Sequence, residues 1–175
     1  MNLDDIKLMF EYNTWADARI LDAASPITAE QFDAPGAGIS YTSLRGTFVH
    51  MLSAQHIWSL RLSGGFAEPM SREEYDAHVL KLADFPTLDS IRQHWPGERE
   101  KVLGFVNGLT DETLNGPIRY YGPDGKPVER VVWRCLYHLV NHGTQHRAEA
   151  AVLLTAYGCS PGDVDFNTVF LNQRP

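Results

Sequence analysis

The sequence has no apolar run approaching the roughly 20 residues that a membrane-spanning helix needs, so no membrane contact is expected. The N-terminal MNLDDIKLMFEYN carries acids where a secretory signal would carry basic residues ahead of a continuous apolar stretch. Cysteine is scarce: Cys135 and Cys159 lie far apart and neither belongs to a CxxC pair, which fits free thiols in a reducing compartment. A cytoplasmic location is therefore expected. Lys and Arg number 15 against 22 Asp and Glu, for a formal net charge of −7, and the basic residues form no block. This balance argues against nucleic acid as a partner, because phosphate affinity needs clustered cations. Internal repeats and low-complexity segments are absent as well.

What is present is helical periodicity. At 175 residues the chain is expected to form one domain, 1–175, burying about 70% of its unfolded surface. Leu3, Ile6, Met9, Phe10, Ala16 and Ile20 follow the three-and-four spacing of an amphipathic helix that Ser25-Pro26 ends. Residues 26–42 have no periodicity and read as a connection over the bundle end, long enough to let the chain travel. Ser43 caps a second helix over 44–62, apolar almost all round and therefore packed on most sides. Residues 66–86 read as an excursion with a short helical stretch at 71–82, where His78 faces solvent. A third helix starts after Thr87, with a kink or break expected at Pro96-Gly97. The turn signature Pro-Asp-Gly-Lys predicts a small β-hairpin before the last helix, 131–157. The tail closes on Val169-Phe170-Leu171, apolar enough to pack back on the body. These elements add up to an all-α four-helix bundle with a long crossover connection and one hairpin between helices three and four.

The last helix carries the chemistry. His138, His142 and His146 recur every four residues, a step that turns about 40° around a helix and lets neighbours converge on one ion. For any one of them, a hydrogen-bonded core or surface histidine is the ordinary reading. Three in register, of seven in the chain, point toward a metal. No Glu is followed by His three residues later, which removes the carboxylate di-iron pattern, and His142 is followed by Gly143 rather than the Glu of a zinc peptidase. What remains is a pair from helix four plus one ligand from elsewhere, with His50 on the other most-buried helix as the leading candidate. Three imidazoles would leave a divalent cation open positions for water or substrate. Glu149, three residues after His146, is a candidate for orienting a ligand ring or moving a proton, and equally for an ordinary salt bridge.

EYNTWADARIL, FVHMLSAQHIWSLRL and LYHLVNHGTQHRAEAAVLLTAYG, taken in that order, resemble the DinB-like (DinB/YfiT-type) metalloenzymes across nearly the whole chain. The resemblance implies a four-helix bundle, often a homodimer, with a divalent metal such as Zn, Ni, Fe, Mn or Co held by His50, His142 and His146. It makes His138 a supporting residue. Many relatives read His-Arg-Gly-Gln where this chain has His146-Arg147-Ala148-Glu149, so a family role for that Gln does not carry over. The implied function is a metal-dependent enzyme on a small-molecule substrate. Transfer of a low-molecular-weight thiol is favoured, hydrolysis or isomerisation being possible. The other reading is a non-catalytic metal-binding protein of the stress or DNA-damage response.

Overall fold

The structure is a computed structural model and describes residues 1–173. Three of the four long helices start at a side-chain cap, which satisfies backbone donors that a helix start leaves unpaired. Asn2 caps α1 (Leu3–Ala23), with Asp5 reaching back to complete a capping box. Thr28 caps the single turn α2 (Ala29–Asp33) in the same way. Ser43 accepts from the Gly46 amide at the head of α3 (Leu44–Leu62), and Ser71 caps α4 (Arg72–His78). Thr87 starts α5 (Leu88–Asn107), and Thr110 starts α6 (Asp111–Asn115). The hairpin β1 (Pro117–Tyr121) and β2 (Pro127–Val131) pairs Tyr120 with Val128, and its turn uses Gly125 at φ 68°. The chain then passes straight into α7 (Val132–Ala156) without a side-chain cap.

α1, α3, α5 and α7 form the predicted bundle, α3 packing on α5 and α7 while α1 packs on α7 and α5. Their buried apolar residues form two clusters shared by all four helices, while Tyr12 and Ala16 of α1 join Phe170 in a third. Of the two shared clusters, one holds Ile6 and Phe10 of α1, Trp58 of α3, Val102 of α5 and Leu136 of α7; the other holds Ile20, Phe48, Ile91 and Leu154 from the same four helices. The order of these residues along each helix makes α1 run parallel to α7 and antiparallel to α3 and α5. Between the clusters every bundle helix contributes buried polar groups: Asn13 and Asp17, Gln55, Glu98, then His146 and Arg147. A polar waist thus crosses the molecule at mid-height.

Residues 24–43 join ends of α1 and α3 that share one cluster, as expected of a connection over the bundle end, and the lengthwise crossover is residues 63–87, because α3 and α5 run in the same direction. Two expectations change. Helix three does not break at Pro96: α5 is continuous, with Pro96 and Gly97 exposed while Trp95 and Glu98 on either side are buried and anchor both halves. The one-turn helix α2 falls within the segment read as a connection, being too short to show periodicity. The tail does fold back, with Phe170 buried at 5.5 Å from the Trp15 ring and Phe166 meeting Tyr12 at 5.3 Å. No helix among the described residues is long and apolar enough to cross a membrane.

Candidate metal centre

His142 and His146 project from one stripe of α7 toward α3, and His50 comes from α3 to meet them. One ligand-capable nitrogen of each lies within 4.8 Å of the other two. His50 Nε2 and His142 Nε2 are 2.8 Å apart, and the three ring centroids are separated by 4.4 to 4.8 Å. His146 is buried; the other two rings are half-buried. His146 Nδ1 is 2.9 Å from Glu149 Oε2, and Glu149 Oε1 accepts a 2.6 Å hydrogen bond from the Ser40 hydroxyl. A neutral His146 with its proton on Nδ1 donates to Glu149 and keeps Nε2 free as a ligand atom.

The electrostatics favour the neutral form of His50 and His142. Burial, followed by the charge of His146, lowers His50 to about 4; burial, His146, His50 and His138 together lower His142 to about 3. Unprotonated imidazole is the form that coordinates a metal. Burial raises Glu149, but the hydrogen bonds from Ser40 and His146 outweigh it and hold the carboxylate below its ordinary value. The donor set therefore fits a divalent ion: three imidazole nitrogens, one of them oriented by a carboxylate.

His138 stands apart. It is exposed one turn back along α7, its ring 5.7 Å from His142 and 5.4 Å from Trp58. His78 is exposed as expected, and His94, also exposed, lies 3.4 Å from Glu98. Two contributors escaped the sequence reading, Ser40 and Tyr41, both in the aperiodic segment before α3. Tyr41 lies flat on His50, with ring centroids 3.9 Å apart and its hydroxyl 3.1 Å from His50 Nε2. A cleft of about 330 Å³ opens beside them, walled by Val49, Val79, Leu80 and Leu82 along with Thr42 and Ser53.

Behind the histidines lies a second polar group. Arg147 is fully buried and donates to Asp17 Oδ1 and Asn13 Oδ1, each at 2.7 Å. Burial pushes the Asp17 carboxyl up, opposed by the Arg147 charge and hydrogen bond. A signal for this existed in the sequence: Asn13 and Asp17 continue the buried stripe of Ile6, Phe10 and Ile20, where apolar residues belong. Gly143 makes room for it, since a Cβ there would stand 2.7 Å from Arg147 Nη1 and 2.9 Å from Asn13 Oδ1.

The DinB family profile matches residues 1–172, a span that includes every residue of this site. The chain belongs to the DinB family. Protein DinB of Bacillus subtilis (strain 168) is 23% identical to it over 159 residues, covering 90% of this chain and 89% of the relative. A DinB-family bundle with three histidines positioned to bind a metal ion is what sequence and geometry together establish.

Proposed function

We propose that His50, His142 and His146 hold a divalent metal ion, and that the chain is a metal-dependent enzyme of the thiol-transferase type acting on a small substrate. The observation that carries this reading is the meeting of three imidazoles, one of which, His50, also lines an open cleft. Zn, Ni, Fe and Mn all suit such ligands. When bound, a divalent ion supplies Lewis acidity and brings the pKa of a thiol or water toward neutrality.

The chain's own residues supply the rest. Glu149 fixes the tautomer and orientation of His146, and because both its oxygens are engaged, orienting suits it better than carrying protons. The aliphatic wall of Val49, Val79 and Leu80 shields one side of the cleft from water and suits the apolar part of an electrophile. In the transfer the thiol sulfur bonds to the electrophilic carbon, the leaving group departs with its electron pair, and the thiol proton passes to solvent. A low-molecular-weight thiol as co-substrate, a homodimeric state and a cytoplasmic location belong to the same reading and rest on the resemblance and the unpaired cysteines. A mass of one chain, 19.7 kDa, by sedimentation would remove the dimer.

The test is turnover of metal-loaded protein with a panel of thiols and electrophiles. Activity that vanishes in His142→Ala supports the transferase. Saturable metal uptake without any turnover above that variant would replace it with the non-catalytic, stress-response reading.

A further inference from the structure

Tyr41 is a site residue that the ligand set leaves without a task. Its ring is held against two ligand candidates, stacked on His50 and edge-on to His146 at 5.6 Å. Its hydroxyl has one hydrogen-bond partner among the described residues, His50 Nε2 at 3.1 Å, and this is the nitrogen that faces His142 Nε2. A metal would take the same lone pair. The Tyr41 hydroxyl therefore sits beside the lone pair that an ion would take.

We propose that Tyr41 is a positioning residue of the metal centre, whose O–H donates a hydrogen bond to the anionic ligand, such as a substrate thiolate, bound at the open position. With His50 Nε2 committed to the ion, the phenol loses its protein acceptor and keeps its place. Tyr41 and His50 line the same cleft, so the donor points to the side from which a substrate enters. Its neighbour Ser40 is bonded to Glu149, the carboxylate that orients His146, so one group sets both the ligand and the segment that carries the donor. The inference rests on the metal reading and adds a preference to it: ligands with an acceptor lone pair facing Tyr41 bind better than those without.

The experiment uses the full chain loaded with Co(II), titrated with azide and separately with imidazole, and followed by the visible ligand-field spectrum of the cobalt. Tyr41→Phe keeps the ring and removes the hydroxyl. The expected result is unchanged Co(II) stoichiometry, azide affinity lowered about tenfold or more, as for a hydrogen bond to a charged group, and imidazole affinity unchanged. Ser40→Ala frees the segment while retaining the hydroxyl, and is expected to fall between the two for azide. Equal azide affinity in wild type and Tyr41→Phe would overturn the proposal, and so would an equal loss for azide and imidazole, which would mark a structural role. Failure of the metal reading looks different: no saturable Co(II) uptake by the wild type, or uptake that survives in His142→Ala.

Discussion

A single carboxylate decides how one side of the site is set. Glu149 holds His146 through Nδ1 and the 24–43 segment through Ser40. Removing a group that orients a metal-bound histidine commonly costs 10- to 100-fold in affinity, on the order of the effect expected for Glu149→Ala in a chelator competition. The metal-free histidines also make a pH signature. His142 and His50 sit at about 3 and about 4 in the folded chain, against 6.5 when unfolded. Between those values the unfolded chain binds more protons, so stability rises with pH across the window, is complete above about 6.5, and is lost as pH falls toward 4. Urea midpoints of chelator-treated protein should therefore be lower at pH 5 than at pH 7, with a shallower dependence in His142→Ala. The same slope in both proteins would show that these rings are not the cause.

At the scale of the element, α7 carries the site on one side and the bond to α1 on another. Gly143 tests the second. An alanine would improve helix propensity by about 1 kcal/mol, yet its Cβ would meet Arg147 Nη1 at 2.7 Å. That guanidinium is buried and bonded to Asn13, Asp17 and Thr144, so it cannot swing aside as a surface arginine would. Overpacking of this kind costs about 1 to 3 kcal/mol, and Gly143→Ala should lower the denaturant midpoint; a higher midpoint would show that the network yields easily. The four long helices and the histidine pair on α7 were legible because both are periodic signals, readable within one turn of the chain. His50 was reachable because α3 is apolar on most sides and so had to lie next to α7. Ser40 and Tyr41 were not, since an aperiodic segment takes its place from contacts 109 residues away in the case of Ser40 and Glu149. The crowding at Gly143 was not legible either: its neighbour Arg147 is fixed by partners on α1 that lie 130 or more residues away.

For the molecule as a whole, the three histidines bridge α3 and α7, with His142 and His146 between the two apolar clusters and His50 beside Val49 and Met51 of the second. An ion there would tie two antiparallel helices together. A ligand that binds only the folded state at 100 times its Kd adds about 2.7 kcal/mol, which for a chain of this size corresponds to a rise in Tm of about 5 to 10 °C. Thermal melts with and without Zn(II), and again after a chelator, measure this. A shift that persists in His50→Ala would place the ion elsewhere.

The adjacency of His146 and Arg147 has a consequence for how such a chain can change over generations. Consecutive helical residues point about 100° apart, so α7 works as a key cut on two sides, one face toward α3 and the other toward Asp17 of α1. Inserting or deleting one residue between Gly143 and His146 would rotate His146 and Arg147 together by about 100° relative to His142, so that the two histidines no longer share a face. Length variation should therefore be purged from this stretch and collect at the hairpin turn around residues 122–126, where an added residue displaces neither.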